Sequence, residues 1–286
     1  MARTLLEDIH EKLDEFTATE RKAARALLAN YPLQGLGTVA QFADAAGVSS
    51  PTILRFVARL GFAGFAGFQE HLRQELQSQL NTPLARSSVM AGKSENSSDP
   101  LLEALIDNLR ETFANLPSGN LNSLIKLLAD DRRPVHMIGG RFTDGLARYM
   151  AAHLRIVRSN VHHVAGQQGN WLDQLIDIGS RDVIVVFDIR RYQEEIIRFS
   201  KAAAKQGATI ALITDSWMSP VGKFASFVLP SRVAVPSAWD SSLALMAIAE
   251  VLIAGVTSEN AGRSQERMQA LEQLRDADSA LRSPED

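Results

Sequence analysis

"VVFDIRRYQEE", residues 185–195, joins a strand to a helix and decides the fold of the second half of the chain. The apolar run 183–187 is typical of a strand buried on both faces, and the segment that follows the turn has helical spacing. Turns of this kind bind ligands in open α/β sheets, usually through Gly, Ser and Thr. Here the turn carries Asp188, Arg190 and Arg191 instead, so its chemistry must differ.

Strand and helix patterns alternate on both sides of this turn. The predicted strands are 134–140, 161–165, 182–188, 208–215 and 226–230. The predicted helices run to about 157, then near 170–177, 192–206 and 238–257, with two more near 100–115 and 119–130 ahead of the sheet. Five strands that alternate with helices predict an α/β domain with a five-stranded, parallel, doubly wound sheet.

The composition of the chain changes once, at "NTPLARSSVMAGKSENSSDP", residues 81–100, which is polar and has no apolar period. Such a stretch is typical of a linker. Everything before it has helical spacing and predicts an all-α domain, with helices near 3–15, 19–30, 38–46, 50–60 and 65–80. The sequence therefore predicts four segments: an all-α domain at 1–80, a linker at 81–99, the α/β domain at 100–257 and a charged helical tail at 258–286.

Composition narrows the class of protein. With 286 residues, 45% hydrophobic and 22% charged, the chain is long enough for two globular domains with real cores. The absence of Cys excludes a disulfide framework and a thiolate metal site. The first residues lack the form of a signal peptide, and no apolar run reaches the roughly 18 residues of a membrane span. We expect a soluble, cytoplasmic protein.

"TVAQFADAAGVSSPTILRFVARLGF", residues 38–62, has the pattern of a helix-turn-helix. A short helix ends at Gly47, and a second begins with Ser49 or Ser50 as N-cap and Pro51 in its first turn. One face of the second helix is apolar, with Ile53, Phe56, Val57 and Leu60, and another face carries Thr52, Arg55 and Arg59. We predict that DNA is contacted by Ser49, Ser50, Thr52, Arg55 and Arg59. The alternative is a helical bundle with an incidental Arg pair.

Four short motifs follow one another in this half: T-x-x-E-R at 17–21, A-x-x-A-G-V-S at 43–49, T-I-L-R-F at 52–56 and L-G-F-x-G-F at 60–65. In their order and spacing they resemble the DNA-binding domain of the RpiR/MurR family of bacterial transcription regulators, over about residues 15–75. The resemblance implies that operator DNA is a partner. Family members often carry Lys where this chain has Ala63 and Gln69, so two phosphate contacts are absent here. Each missing contact makes the slope of log binding constant against log salt concentration shallower by about one unit.

In the same family the second half is a sugar-isomerase (SIS) domain that senses a phosphosugar, and the alternation over 134–257 resembles it. Two phosphate-binding motifs of that domain are altered. G-x-G-x-S after the first strand corresponds to "GGRFT", in which Arg141 replaces the second Gly and Thr143 the Ser. S-x-S-G-x-T after the third strand corresponds to "DIRRYQ". The phosphate cradle that the family builds is therefore missing.

Three interpretations of the altered loops remain open. In the first, Asp188 pairs with an Arg and the loops are structural, in a domain that only dimerises. In the second, which we favour, Arg141, Arg190 and Arg191 converge on a small anion other than a standard phosphosugar, because guanidinium groups suit carboxylate and phosphate. In the third, Arg holds an unmodified phosphosugar. The residues predicted to bind the effector are Arg141, Thr143, Asp188, Arg190, Arg191, Gln193 and Ser237.

Other patterns predict neither catalysis nor a metal. His162 and His163 are neighbours on a predicted strand, so their side chains point to opposite faces and do not ligate one ion together. No P-loop, nucleophile elbow or H-E-x-x-H motif occurs, and we expect no cofactor and no catalytic residue. Ser237 is also a candidate cap for the last long helix, and Trp239 for packing between subunits.

The sequence as a whole predicts a transcription regulator, a repressor, whose SIS domain forms a homodimer or a tetramer and senses a small anionic metabolite. The alternatives are a sugar-phosphate isomerase or synthase of the SIS type, and a DNA-binding dimer that responds to no small molecule.

Overall fold

The computed structural model of the chain describes residues 5–80, 84, 99–166 and 168–282. The chain divides into two compact units. Met1–Leu101 and Pro236–Trp239 form the first, and Leu102–Val235 and Asp240–Asp286 form the second. Most of the predicted linker lies outside the described residues, so the segment boundaries stay a prediction.

The described part of the first unit is helical, which confirms the all-α prediction. Its helices are α1 Leu5–Glu11, α2 Ala18–Ala29, α3 Leu33–Leu36, α4 Val39–Ala46, α5 Ser50–Arg59 and α6 Phe65–Leu80. Phenylalanine rings from α4, α5 and α6 meet in the core: the Phe42 ring lies 6.3 Å from that of Phe56 and 6.4 Å from that of Phe68. Fully buried rings of this size contribute much of the apolar area of so small a core.

The motif T-x-x-E at 17–20 begins α2 as a capping box. The Glu20 backbone N–H donates to the Thr17 hydroxyl, and the Thr17 backbone N–H donates to the Glu20 carboxylate at 2.9 Å. These bonds satisfy two of the N–H groups that a helix start leaves without partners, which typically stabilises a helix by about 1 kcal/mol. The motif therefore has a local structural role as well as its value for recognition.

The second unit begins with two helices, α7 Asp99–Asn115 and α8 Ser118–Ala129, and continues as an α/β domain. Its strands are β1 Val135–Gly139, β2 Val161–His163, β3 Val183–Asp188, β4 Thr209–Asp215 and β5 Phe227–Ser231. They are all parallel, in the order β2-β1-β3-β4-β5. The predicted parallel, doubly wound sheet is confirmed, and its chain order reverses between β1 and β3.

Both faces of the sheet are covered, as the apolar run of β3 predicts. The helices after the strands are α9 Asp144–Val157, α10 Glu194–Lys205, α11 Leu243–Glu259 and α12 Ala261–Arg282. Side chains of β3 alternate between two cores: Val183, Val185 and Phe187 lie in one with residues of α8, α9 and α11, and Ile184 and Val186 lie in the other with residues of α10. The period of two residues therefore divides the domain into its layers.

Two predicted helices differ from the structure. Residues 170–177 form no α-helix but two 3₁₀ turns, Gln168–Trp171 and Asp173–Leu175, because so short a segment is shaped by packing Trp171 and Leu175 into the core. The last long helix begins at Leu243 with Ser242 as N-cap, five residues later than predicted, so the interpretation of Ser237 as its cap is wrong.

Of the described helices, none is by itself long and apolar enough to cross a membrane, although the bent pair formed by α11 and α12 meets that criterion by length and composition.

Candidate DNA-binding surface and effector site

Helices α4 and α5 form the predicted helix-turn-helix. α4 ends at Gly47, whose φ of +61° lies in the left-handed region that glycine adopts without strain. The Val48 N–H donates to the Ala43 carbonyl at 3.0 Å and closes the end of α4. α5 then begins at Ser50, with Ser49 as its N-cap and Pro51 in the first turn. The turn geometry that the sequence predicts is therefore present.

The side chains of α5 divide between a core face and an outer face, with one correction. Ile53 and Phe56 are fully buried and Arg55 is exposed, as predicted. Thr52, expected on the outer face, is buried. Its hydroxyl lies 3.0 Å from the Ser49 hydroxyl and accepts a hydrogen bond from Arg55 Nη2 at 3.2 Å. Thr52 is thus placed to orient Arg55, because the start of the helix turns its side chain inward.

Arg59 is held by an acidic residue of α2. Its Nη1 donates to Glu20 Oε2 at 2.8 Å, and the Glu20 side chain is buried whereas Arg59 is about half exposed. Burial by itself raises the pKa of Glu20, but hydrogen bonds from Thr17 and Arg59 outweigh it and lower the pKa. The E of the T-x-x-E-R motif therefore caps one helix and fixes a basic side chain of another.

Gln69, one of the two positions where family members often carry Lys, has a structural role. Its amide nitrogen donates to the carbonyl of Gly37 at 2.6 Å and to that of Leu36 at 3.1 Å. These carbonyls lie at the end of α3, where a helix leaves them without partners.

Two neighbouring clefts lie in the second unit, and the larger of them, called the main cleft below, opens at the carboxyl ends of β1 and β3, where the strand order reverses. This is the position at which open α/β sheets bind ligands. It encloses about 400 Å³, within the range of small-molecule sites. The residues that line it include Arg141, Asp144, Arg148, His163, Trp171 and Gln193. A smaller neighbouring cleft of about 230 Å³ shares Arg141 and Gln193 with it and is also lined by Thr143, Asp188, Arg190 and Arg191.

Arg141, Arg190 and Arg191 all line the smaller cleft, but the Arg190 guanidinium already has a carboxylate partner within the chain. Its Nε donates to Asp240 Oδ2 at 2.6 Å, its Nη2 pairs with the same carboxylate, and the guanidinium lies 4.6 Å from the ring centroid of Trp217. The side chain is 7% exposed. A charge this deep needs a partner, and Asp240, 50 residues away in the chain, is close enough to supply it.

The structural interpretation expects Asp188 to pair with an Arg. Among the described residues, its carboxylate instead accepts a hydrogen bond from the Ser219 hydroxyl at 2.5 Å. Close by, Asp215 accepts from the Tyr192 hydroxyl at 2.8 Å and from the backbone N–H groups of Arg190 and Trp217 at 2.5 and 3.0 Å. Burial raises the pKa of each carboxyl to about 6, although these hydrogen bonds act in the opposite direction. Two buried carboxyls therefore lie under the loop after β3.

We expect Asp188→Asn to remove part of the pH dependence of stability. A carboxyl whose pKa is about 6 in the folded chain and 3.8 in the unfolded chain binds more protons when folded, so its ionisation destabilises the fold as pH rises. Between these pH values the wild type should lose about 1.4 kcal/mol per pH unit relative to the variant, with no further change above about pH 7. Urea unfolding of both proteins from pH 4 to 8 measures this difference, and parallel curves would contradict the assignment.

Of the other predicted effector residues, Thr143 and Arg191 line the smaller cleft and Ser237 lines neither. Thr143 is buried, and its hydroxyl links the loops by donating to the Phe187 carbonyl at 2.6 Å and accepting from the Gly140 N–H at 2.8 Å. Arg191 takes the position of a motif glycine and has a φ of +67°, so the loop keeps the left-handed conformation that glycine favours. Ser237 accepts a hydrogen bond from the Trp239 N–H and is not among the residues that line either cleft.

Sequence reasoning missed three residues of the main cleft: Asp144, Arg148 and His163. The Asp144 carboxylate lies 2.7 Å from His163 Nε2 and 3.1 Å from Arg148 Nη2. The i, i+4 spacing of an acid and an Arg at the start of α9 is a signal that could have found two of them. Within the described ranges, no group of three or more His, Cys, Asp or Glu side chains is arranged to hold a metal ion.

A helix-turn-helix domain joined to a SIS domain defines a DNA-binding transcription regulator. Residues 3–79 match the family model described as a helix-turn-helix domain of the rpiR family, and residues 127–255 match that of the SIS domain. The chain belongs to the RpiR family of transcription regulators.

Relatives with curated names agree with this assignment. The transcriptional regulator HexR of Pseudomonas aeruginosa is 25% identical over 268 residues, which cover 89% of this chain and 90% of that protein. An uncharacterized helix-turn-helix regulator of Haemophilus influenzae is 25% identical over 232 residues, 79% of this chain and 78% of that one.

Two solved structures share the fold. The sugar isomerase domain of an RpiR transcription factor from Sphaerobacter thermophilus has a TM-score of 0.58 at 18% identity and covers 63% of this chain and 99% of that chain. The NanR protein of Vibrio vulnificus, complexed with ManNAc-6P, has a TM-score of 0.56 at 16% identity and covers 94% of this chain and 97% of that chain.

Proposed function

We propose that this regulator is a cytoplasmic repressor, and that a small anionic metabolite bound in the main SIS cleft changes its affinity for operator DNA. The observation that carries the proposal is the cleft of about 400 Å³ at the strand-order reversal, with Arg141 and Arg148 on its lining. The NanR structure contains ManNAc-6P, so the shared fold accommodates a charged sugar derivative. The altered loops argue against a standard phosphosugar as the effector of this chain.

We further propose that the SIS domain forms a homodimer, or a tetramer, that presents two copies of α5 to the operator. Two-fold symmetric helix-turn-helix proteins bind half-sites about 34 Å apart or a multiple of it. A ligand changes DNA affinity only through its different affinity for the two states, and such couplings amount to about 1–3 kcal/mol. Of the predicted residues, Arg141 and Gln193 line the main cleft, and we propose that they contact the effector.

Fluorescence anisotropy tests this function. The full chain would be mixed with labelled DNA selected by the wild-type protein from random sequences, and small anions would then be added. We expect tight binding without ligand and release by at least one anion. A protein that selects no DNA, or whose DNA affinity no ligand changes, would contradict the proposal.

We expect Arg55→Ala to weaken operator binding by about 10-fold or more. Arg55 is exposed on α5 next to the buried Thr52, and loss of an Arg that contacts a base costs about 1–3 kcal/mol. Anisotropy with selected and scrambled DNA measures the effect and its specificity. Arg73→Ala, on the exposed side of α6 beside Glu70, is the matched control. Equal losses in the two variants would show that Arg55 acts only through general charge.

An isomerase of the SIS type is the second candidate, and one observation favours it. Asp188 lines the smaller cleft, and its pKa of about 6 suits a general base. Conversion of a sugar phosphate by the wild type, abolished in Asp188→Asn, would support this activity.

A further inference from the structure

We infer that the effector site of this chain is selective for a hydroxyl-bearing monocarboxylate, the class of the sugar acids, and excludes phosphate esters, because two of the chain's own carboxylates already hold the donors that a phosphate requires. This inference rests on the proposed function and specifies the ligand of the same cleft.

The loop after β3 binds an anion that the chain itself supplies. Loops and helix starts hold phosphate through backbone N–H groups that have no other partner. Here the Arg190 and Trp217 N–H groups donate to Asp215, which is fully buried. The Gln193 N–H, at the start of α10, donates to Asp188. An incoming phosphate would have to displace carboxylates that are part of the fold.

The backbone N–H groups of the loop after β1 also donate to acceptors within the chain. The Gly140 N–H donates to the Thr143 hydroxyl at 2.8 Å, and the Arg141 N–H donates to Gln193 Oε1 at 2.5 Å. The N–H groups of Thr143 and Asp144 both donate to the Gly140 carbonyl. A ligand in the main cleft must therefore be held by side chains.

The charges that line the main cleft favour a ligand with a single negative charge. Around both clefts together the charges balance, with Arg141, Arg148, Arg190 and Arg191 against Asp144, Asp188, Asp215 and Asp240. Within the lining of the main cleft, two arginines face one aspartate. A carboxylate balances this excess of one positive charge, and its two oxygens match the planar fork of a guanidinium. A phosphate dianion would leave one charge unbalanced.

A carboxylate that lines the same cleft points to a ligand hydroxyl. The Asp144 carboxylate, bonded to His163 and Arg148, is placed to accept from a ligand hydroxyl. A carboxylate that bears hydroxyl groups meets all of these side chains.

Calorimetry and thermal shift with the full chain test this ligand class. The probes are D-gluconate and D-glucuronate, compared with glucose 6-phosphate, glucosamine 6-phosphate and inorganic phosphate. We expect saturable binding of at least one sugar acid and at least 10-fold weaker binding of every phosphate compound. Arg141→Ala, which removes the guanidinium, and Asp144→Asn, which removes the carboxylate, should each weaken the binding of the sugar acid about 10-fold. Arg132→Ala, exposed beside Asp130 and outside the clefts, should change nothing.

Three results would overturn the inference: a phosphate compound that binds as tightly as the acids, no binding of either acid, or an unchanged affinity in Arg141→Ala. DNA release measured on the same samples separates this inference from the proposed function. If a sugar acid binds but leaves operator affinity unchanged, the regulatory proposal fails and the ligand class stands. If a phosphosugar releases the operator, the regulatory proposal stands and the ligand class is wrong.

Discussion

Replacing Arg158 with methionine is expected to lower the free energy of unfolding of the SIS unit by about 3–5 kcal/mol. Arg158 follows α9 and is completely buried. Its guanidinium donates to the carbonyls of Leu128 and Arg133 and, at 3.0 Å, to that of Ser159. Methionine fills a similar volume but donates no hydrogen bond, so all three carbonyls would lose their partner in the interior.

A charge adds to this loss. Asp131 Oδ1 lies 3.7 Å from Arg158 Nε, so the substitution also removes one of the two arginines that pair with this carboxylate and leaves it only the more exposed Arg263. Burial lowers the pKa of the Arg158 guanidinium, yet an arginine stays charged inside proteins. The ion pair and the three hydrogen bonds together connect the end of α8, the start of β1 and the end of α9. We therefore expect the loss to weaken the packing of that whole edge of the domain.

Urea unfolding followed by tryptophan fluorescence measures the loss in a background that carries Trp239→Phe, because the other two tryptophans of the chain, Trp171 and Trp217, both lie in the second unit. Arg198→Met is the matched control, since Arg198 is 65% exposed on α10. Exposed substitutions of this kind change stability by about 0.5 kcal/mol or less. A loss in Arg158→Met no larger than in the control would show that water replaces the guanidinium without cost.

Gly139→Ala is expected to destabilise the SIS unit by about 3 kcal/mol and to abolish effector binding. A Cβ atom at Gly139 would lie 2.5 Å from the Thr143 carbonyl oxygen and 2.6 Å from the Asp144 nitrogen. Both are backbone atoms at the start of α9, so no side chain can rotate away, and overpacking against rigid structure costs about 1–3 kcal/mol. Moving α9 also moves Asp144 and Arg148, which line the main cleft.

Gly145→Ala is the control for this substitution. It lies in α9, six residues further along the chain, and a Cβ atom there meets no other atom within 4 Å. Replacing a helical Gly with Ala stabilises a helix by about 0.5–1 kcal/mol, so the control should gain stability and keep ligand binding. Thermal unfolding and calorimetry with the same ligand distinguish the two variants. Equal behaviour would mean that the β1–α9 junction relaxes freely.

Local pattern was sufficient for most of the architecture. The alternation of apolar runs and helical segments predicts all five strands of the second unit, and the Gly47 turn with Pro51 predicts the helix-turn-helix. These features depend on backbone geometry and on burial within a few residues, which periodicity and turn chemistry report directly. The same reasoning fails at 170–177, where the helical period is too short to outweigh the packing of Trp171.

The candidate site was predictable in place but not in detail. The strand-to-helix turns at 139–143 and 188–193 were correctly expected to lie together, because parallel strands bring their carboxyl ends to one edge of the sheet. The partners of the charged side chains were not predictable. Thr52 turns inward beside Arg55, and Arg59 is held by Glu20, 39 residues earlier in the chain.

The sequence alone determined that this protein has a helix-turn-helix domain and a parallel α/β domain, and that the loops after β1 and β3 lack the usual phosphate-binding residues. Only the tertiary structure decided what the charged residues of those loops do: Arg190 faces Asp240, and Asp215 accepts the loop's own N–H groups. The physical reason is the distance along the chain over which each effect acts. Apolar periodicity acts over a few neighbouring residues, whereas a buried charge is stabilised by whichever opposite charge the packed strands and helices bring within hydrogen-bonding distance.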